Sequence, residues 1–293
     1  MLHVDEVLAR IGPDDRVLDV GGWACPFNRA DWVLDCEPYE TRGYYATVGL
    51  PKSQGGDREH FSPSTWVRRD ICDRTPWPFP DGYFDFSVCS HTLEDIRDPL
   101  FVCKELIRVS RRGYIETPSR LAETCRGWES DRTAGLNHHR WLIDYREDRL
   151  EFTMKWHMIH ADRTFTLPPR LFRTLTPAES VSHLFWEGGF EVSERIMHGR
   201  DKKARFFREF IAEVAAQDRY RDLVADDPDD PEARLLGELD AARAELAELR
   251  ARLAHYDDLG PIALGLARRL CRASARFPSA SALVKPLARR VGA

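Results

Sequence analysis

The chain has 293 residues, of which 43% are hydrophobic and 31% charged, and its formal net charge is −5. These values are typical of a globular protein with one sizeable α/β domain and some appendages. No run approaches the roughly 20 apolar residues that a membrane-spanning helix needs, and the first residues lack the apolar core of a signal peptide. The seven cysteines show neither a CxxC pair nor a zinc-binding spacing. They predict reduced thiols, a cytoplasmic protein and no metal site.

A short helix is predicted over residues 2–11, and a strand follows it at Val17–Val20. This apolar run contains Asp19 and ends at Gly21 and Gly22. Glycines let backbone N–H groups approach a ligand closely. A second strand ends on Asp35, and an acidic residue at that position binds ribose hydroxyls in nucleotide sites. The pattern predicts a pocket beside these two strand ends.

Further strands are predicted at residues 66–71, 83–90 and 113–118, with an amphipathic helix over residues 99–110. Strands that alternate with helices predict βαβ units, and therefore an α/β fold with a doubly wound, mostly parallel sheet. Ligands bind such sheets beyond the carboxyl ends of the strands. The acidic and polar residues named here all fall at that edge.

Residues 120–175 are too long for a simple connection and are predicted to be an insertion after the fifth strand that covers the site and meets substrate. A hairpin is predicted within it, from strands at residues 141–145 and 150–159. Thr176 begins a predicted helix with a capping signature that ends near Gly188. A late strand over residues 190–197 and a helix over residues 201–224 complete a domain of residues 1–225.

An acidic linker, residues 226–232, leads to a C-terminal helical extension. Apolar residues at a and d positions recur over three heptads in residues 233–257. They predict a coiled coil and a homo-oligomer, although a helix packed on the domain would show the same pattern. Residues 260–293 form a basic amphipathic tail with seven basic residues and no acidic one. Such a tail is typical of contact with an anionic membrane surface, while a solvated tail or one that binds an acidic protein remains open. No nucleic acid is expected, because the basic residues share the segment with a wide apolar face.

The motifs VLDVGG, VLD, RRD, FDFSVCSHTLEDIRDP and GYIETP occur in this order over about residues 16–120. In this respect the chain resembles class I S-adenosylmethionine-dependent methyltransferases of the small-molecule, type 11-like branch. The resemblance implies a Rossmann-like sheet of seven strands and S-adenosylmethionine as cofactor. It further implies a site in which Asp19, Gly21 and Gly22 hold the amino-acid end of the cofactor, Asp35 the ribose, Asp70 and Ile71 the adenine, with Ser90 and His91 near the methyl sulfur.

One departure from the family pattern concerns the glycine turn. The family has G-x-G-x-G followed by a full helix, whereas this chain has Gly21-Gly22-Trp23 and a short connection to the next strand. The helix after the first strand is therefore predicted to be short or missing.

Methyl transfer requires alignment of the acceptor and exclusion of water. A hydroxyl acceptor also needs a base, for which His91, Glu94, His138 and His139 are the candidates. Each of these histidines has an alternative interpretation as a residue that only shapes or packs the pocket. Glu116, at a strand end, is predicted either to orient substrate or to cap a neighbouring helix.

The sequence thus predicts an S-adenosylmethionine-dependent methyltransferase whose acceptor is small, or linked to a lipid or sugar. The basic tail would place it at the inner membrane face and suggests surface polysaccharide biosynthesis. A non-catalytic scaffold of the same fold is the alternative. A nicotinamide-dependent dehydrogenase is disfavoured because G-x-G-x-x-G is missing from the sequence.

Overall fold

The computed structural model describes residues 1–146, 149–224 and 242–249. The chain divides into two units, Met1–Ala225 and Asp226–Ala293. The acidic linker and the basic tail lie outside the described residues. Of the heptad segment only residues 242–249 are described, and they are helical and mostly exposed. The coiled coil and the membrane contact therefore stay predictions. Within the described residues, no helix combines the length and apolarity needed to cross a membrane.

Nine strands are described, and they form two sheets. The strands are β1 Val17–Val20, β2 Trp32–Asp35, β3 Trp66–Arg68, β4 Phe86–Ser90, β5 Arg112–Pro118, β6 Trp141–Arg146, β7 Arg149–Met154, β8 Val181–Glu187 and β9 Glu191–Arg195. The main sheet has the order β3-β2-β1-β4-β5-β8, with the first five strands parallel and β8 antiparallel to β5. The reversal of strand order between β1 and β4 is the switch point of a doubly wound sheet.

The helices of the described residues are mostly short. They are α1 Val4–Arg10, α2 Pro99–Val109, α3 Arg120–Thr124, α4 Met158–Ala161, α5 Pro169–Phe172, α6 Pro177–Ser180, α7 Arg200–Ala215 and α8 Arg221–Val224, with 3-10 turns at Tyr39–Thr41, Tyr44–Val48 and Arg163–Phe165. The predicted helix over residues 201–224 is thus divided into α7 and α8. The helix predicted over residues 99–110 is confirmed as α2, which Asp98 caps by accepting the N–H of Phe101.

The main sheet buries both faces, as a parallel sheet does. On one face Leu18, Leu34 and Ile115 pack against Leu106 of α2, and Phe152 of the hairpin joins the same cluster. On the other face Val17, Val33, Phe86 and Tyr114 pack against Val7 of α1.

Residues 21–31, which follow β1, form a loop and contain no helix. In the family pattern this position is occupied by the first helix. Phe27 of this loop is fully buried in the cluster of the α1 face. Its ring lies so close to Gly55 that a Cβ there would come within 2.1 Å of the ring. The prediction of a short or missing helix is therefore confirmed, and one aromatic side chain supplies packing on that face.

Three predictions about the sheets were wrong. The main sheet has six strands among the described residues, not the predicted seven. The late strand, β9, pairs with β7 in a separate sheet of order β6-β7-β9 rather than with the main sheet. The predicted hairpin is present, but its second strand ends at Met154, short of residue 159.

A fourth error concerns the helix predicted from Thr176 to Gly188. Its capping box is present, with Thr176 and Glu179 bonded reciprocally, but the helix ends at Ser180. Val181–Glu187 continues as β8, because Leu184 and Trp186 fill one face of the sheet while Phe185 packs on Tyr114 of the other. Cross-strand pairing with β5 outweighs the local helical start.

We expect Phe27→Ala to lower the free energy of unfolding by about 3–5 kcal/mol, because it removes a fully buried ring from a site with no helix to close over it. Urea denaturation measures the loss. Val48→Ala, at a side chain that is 60% exposed, is the control and should change stability by no more than about 0.5 kcal/mol. An equally small effect at Phe27 would show that the loop does not support the sheet.

Candidate functional site

The carboxyl edge of the main sheet brings together most of the residues that the sequence singled out. Asp19 is the penultimate residue of β1 and Gly21 follows that strand, Asp35 ends β2, Asp70 follows β3, and Ser90 ends β4. Three polar groups can be distinguished along this edge. The first consists of the acids Asp19 and Asp35 at β1 and β2. The second is His91, which follows β4 and lies between two carboxylates. The third is the histidine pair His138 and His139, which precedes β6.

Asp19 and the two glycines are packed tightly against each other and against the β4 loop. A Cβ on Gly22 would lie 2.1 Å from Asp19 Oδ2, and one on Gly21 (φ +77°) would lie 2.2 Å from Thr92 Oγ1. Asp19 Oδ2 accepts the N–H of Phe27 at 2.8 Å. Burial nonetheless raises the pKa of Asp19 to about 7. Both glycines are therefore required by protein packing.

Asp35 is buried and accepts two backbone hydrogen bonds. Oδ2 accepts the N–H of Trp23 at 3.0 Å and Oδ1 that of Glu37 at 2.9 Å. Burial raises its pKa above the ordinary value, and these two donors oppose that rise. Each oxygen keeps a second lone pair, so Asp35 can bind further donors only where the loop leaves room.

Asp70 lies on an open cavity of about 520 Å³ whose lining also includes Cys72, Arg74 and Arg97. Its Oδ2 pairs with Arg97 Nη1 at 2.5 Å, and its Oδ1 accepts the N–H of Cys72 at 2.9 Å. Ile71 does not line this cavity. Its side chain is 7% exposed and belongs to the core cluster of the α2 face.

His91 is held between two buried carboxylates. Its Nε2 lies 3.1 Å from Glu116 Oε1 and its Nδ1 lies 3.4 Å from Glu94 Oε1. Among the described residues it is the one non-glycine with a positive φ, +52°. Such backbone strain persists where surrounding contacts fix it. Glu116 contacts both the side chain and the backbone of His91, because the N–H of His91 also donates to the carbonyl of Glu116 at 2.8 Å.

The charges of this group follow from its contacts. Burial lowers the pKa of His91, but the adjacent carboxylates of Glu116 and Glu94 outweigh it and raise the pKa to about 9. Burial raises the pKa of Glu116, and the bonds from His91 and Tyr114 bring it down to about 2. At neutral pH His91 is therefore a cation, and it already carries the proton that a general base would accept.

Glu116 is fully occupied. Its side chain is completely buried and accepts from Tyr114 Oη, from Ser90 Oγ at 3.4 Å and from the N–H of Leu2 at 2.8 Å, besides His91. It caps neither neighbouring helix, since α1 has no side-chain cap and α3 is capped by Ser119. Of the two predicted roles, capping is therefore wrong, and the contacts show Glu116 fixing His91.

His138 and His139 lie close together, next to the loop of residues 91–98 that follows β4. The Nε2 atom of each lies 3.7 Å from Asp95 Oδ1. His139 is buried and bonds through Nδ1 to Glu123 Oε1 at 2.7 Å, while Glu123 Oε2 accepts from Lys155 Nζ at 2.7 Å. Glu123 and Lys155 are each 1% exposed.

The sequence analysis missed Asp95, Glu123 and Lys155. A buried ion pair has no local signature, because its members come from α3 and from the residue after β7, 32 positions apart. The sequence analysis singled out His138 and His139, but no pattern in the sequence connected them to Asp95. The backbone does so in the fold, since the N–H of Arg140 donates to the carbonyl of Glu94 at 2.7 Å.

These residues fit S-adenosylmethionine at two of its three parts. The cavity beside Asp70 provides room for a base, and Asp35 offers lone pairs for ribose hydroxyls at the neighbouring strand end. At the glycine turn, the third part, there is less room for the cofactor, because Asp19 and Thr92 already fill the space that a side chain on Gly21 or Gly22 would need. Asp35, Asp70, Ser90 and His91 are the residues that would hold the cofactor.

Comparison with known proteins gives a family match for part of the chain. Residues 46–115 match a family model described as "Methyltransferase domain". No curated protein matches the chain. The match includes Asp70, Ile71, Ser90 and His91, and it begins after Asp35 and the glycine turn.

Several solved structures are similar to part of this chain. A methyltransferase from Aquifex aeolicus described as SAM dependent is 20% identical over 40% of this chain and 64% of its own, with a TM-score of 0.25. An arsenic(III) S-adenosylmethionine methyltransferase from Chlamydomonas reinhardtii is 17% identical over 40% and 48%, with a TM-score of 0.24. A chain from the complex of the Haloferax volcanii Trm112 methyltransferase activator with its candidate methyltransferase is 19% identical over 39% and 50%, with a TM-score of 0.28. The chain spans about half the length of most of these structures.

The sheet order and the edge residues define an α/β, Rossmann-like fold of the methyltransferase type. Residues 46–115, less than half of the chain, match the methyltransferase family model, and this match confirms the resemblance to class I S-adenosylmethionine-dependent methyltransferases that the sequence motifs indicated.

We expect His91 to stabilise the fold in a pH-dependent way. Its pKa is about 9 in the folded chain and near 6.5 when unfolded, so its contribution is complete below about pH 6.5 and is lost as the pH rises through 9. His91→Asn keeps a residue that tolerates positive φ. The variant should be less stable than the native chain by about 1–3 kcal/mol at pH 6, and by little above pH 9.

Urea denaturation between pH 5.5 and 9.5 measures this difference. His198→Asn, at an exposed histidine, is the control and should differ little from the native chain at every pH. A difference at His91 that stayed constant with pH would contradict the assignment of a cation held by two carboxylates.

Proposed function

We propose that this protein is an S-adenosylmethionine-dependent methyltransferase with a small, or a lipid- or sugar-linked, acceptor. One observation carries the proposal. Asp19, Asp35 and Asp70 stand at or just beyond the carboxyl ends of three adjacent parallel strands, β1, β2 and β3. This edge is where doubly wound sheets bind nucleotides.

When bound, the cofactor supplies an electrophilic methyl group on a sulfonium. The task of the chain is then to align the acceptor and to exclude water. Asp35 would bind the ribose hydroxyls and Asp70 the adenine. Ser90 and His91, at the end of β4, would lie near the methyl group, with His91 as a fixed cation that shapes the pocket and donates hydrogen bonds.

The covering side of the site would be formed by the segment with His138 and His139. This segment is attached to the β4 loop through the backbone of Glu94, which accepts the N–H groups of Arg140 and Trp141 at 2.7 and 3.2 Å. Both histidines therefore face the same loop as His91. They are the acceptor-side residues of the proposed enzyme.

The class of acceptor is inferred from the C-terminal sequence. Heptads in residues 233–257 and a basic amphipathic tail in residues 260–293 support an oligomer at an anionic membrane surface. An enzyme placed at the inner membrane face would meet lipid-linked sugars, and a role in surface polysaccharide synthesis follows.

A non-catalytic binding protein of the same fold is the second candidate. It is favoured by the glycine turn, where Asp19 and Asp35 accept hydrogen bonds from the loop residues Phe27 and Trp23. If the loop holds this conformation permanently, the amino-acid end of the cofactor has less room. Calorimetry with S-adenosylhomocysteine, followed by a methyl-transfer assay with sugar-nucleotide and lipid-linked acceptors, separates the two candidates.

We expect Asp35→Ala to weaken S-adenosylhomocysteine binding about 10- to 100-fold, because hydrogen bonds to a charged group are worth about 1.5–3 kcal/mol. Titration calorimetry measures this. Asp14→Ala removes an exposed acid that precedes β1, at the opposite edge of the sheet, and should bind like the native chain. Thermal melts of both variants test whether they are folded. Equal affinity in all three proteins would contradict the placement of the ribose.

We expect the native chain to sediment with vesicles containing anionic lipid and not with neutral ones. Replacing Arg268, Arg269, Arg272 and Arg276 by Gln should greatly reduce this binding, since each basic residue near an anionic surface contributes about 1 kcal/mol. A substituted chain that binds the anionic vesicles as well as the native one would contradict the membrane assignment and leave the cofactor site unaffected.

A further inference from the structure

Asp95, His138 and His139 present three potential metal-binding atoms to one point. One atom from each residue lies within 4.8 Å of the other two. Both histidine Nε2 atoms are 3.7 Å from the same oxygen, Asp95 Oδ1. The three residues come from two segments that are held together by backbone hydrogen bonds, so their proximity is fixed by the fold.

The other side of His139 is already arranged as in a metal-binding histidine. A metal-ligating histidine almost always donates its second ring N–H to a carboxylate or carbonyl, which fixes the tautomer and the ring orientation. His139 Nδ1 lies 2.7 Å from Glu123 Oε1, and Glu123 is fixed in turn by Lys155. This leaves His139 Nε2 directed toward Asp95.

Two acids at this point lack hydrogen bonds. Asp95 Oδ1 is buried and has no hydrogen-bond partner, and the same holds for both carboxylate oxygens of Glu94, whose side chain is 2% exposed. Buried carboxylate oxygens without a donor are costly. Glu94 has the His91 cation 3.4 Å away, so the charge that a bound metal ion would balance is that of Asp95.

We propose that Asp95, His138 and His139 bind a divalent transition-metal ion of the Zn²⁺ class. Two imidazoles and one carboxylate are a donor set of zinc sites, whereas Mg²⁺ and Ca²⁺ prefer oxygen ligands. With bonds of about 2.0–2.2 Å, tetrahedral ligand atoms lie roughly 3.3–3.5 Å apart. The two Nε2–Oδ1 separations of 3.7 Å are slightly longer than this, and the two histidine ligand atoms lie within 4.8 Å of each other. His138 is 64% exposed, so its ring has space in which to approach.

The position of the site suggests what the ion would do. Three protein ligands leave a fourth position for water or for a substrate atom. Glu94, the chain neighbour of Asp95, lies 3.4 Å from His91, the residue that the proposed enzyme places near the methyl group. The metal site itself stands on its own geometry. Its use in binding an oxygen or nitrogen of the acceptor rests on the proposed function.

The test uses the full chain, treated with a chelator and then titrated with ZnCl₂ in a calorimeter. One Zn²⁺ per chain with a micromolar or lower Kd is expected, and MgCl₂ at the same concentrations should give no saturable heat. Asp95→Asn and His138→Ala should each weaken Zn²⁺ binding at least about 10-fold, the lower bound for loss of a supporting residue. His198→Ala, which removes an exposed histidine elsewhere, should bind as the native chain does.

Circular dichroism and thermal melts show whether each variant is folded, and His138→Ala keeps the test valid if Asp95→Asn is unstable, because His138 is mostly exposed. Absence of Zn²⁺ binding by the native chain would overturn the proposal. Binding that both variants retain at native strength would also overturn it, since the ion would then be held elsewhere. S-adenosylhomocysteine titrated in the same samples reports on the cofactor separately, so that loss of one function does not imply loss of the other.

Discussion

The constraint on which this structure depends is the placement of carboxylates at a buried sheet edge. Asp19, Glu94, Glu116 and Glu123 are all nearly inaccessible to solvent. A buried ionised group is costly unless it is paired or hydrogen-bonded. The loops at this edge, including the strained backbone at His91, are therefore organised by the need to supply partners to these acids.

The chain supplies those partners in different ways. Asp19 and Asp35 receive backbone N–H groups from the loop after β1. Glu116 receives the cation of His91, and Glu123 receives Lys155 and His139. Glu94 alone of the buried acids named here has no hydrogen bond to its carboxylate. Backbone donors fix position without adding charge, whereas cationic partners also set the protonation state.

The sequence predicted the sheet because the signals that define it are local. Each of these signals is contained in a short stretch of consecutive residues. Examples are the apolar run Val17–Val20, the helix that begins at Pro99 and the acids at strand ends. It failed where a partner distant in sequence decides. The segment after Thr176 has a good helix start, but β8 forms because its backbone pairs with that of β5. The late strand, β9, likewise takes its place from a distant partner, because it pairs with β7 of the hairpin.

The candidate site shows the same division. Asp35 and Asp70 were found because they end strands, and His91 because it follows one. The charge of His91 was not predictable, since it depends on Glu116, a residue 25 positions away on a different strand. Asp95 and Glu123 were missed because short, irregular segments bring them to His139, and no periodicity reports such contacts.

The loss of the first helix links the stability of the fold to its ligand site. In this chain residues 21–31 both pack the core, through Phe27, and supply the N–H groups that Asp19 and Asp35 accept. Because one loop does both, a ligand that displaces the N–H of Trp23 from Asp35 acts on the same segment that holds Phe27 in the core. Binding of a ligand at Asp35 would therefore be linked to packing on the α1 face through the five residues from Trp23 to Phe27.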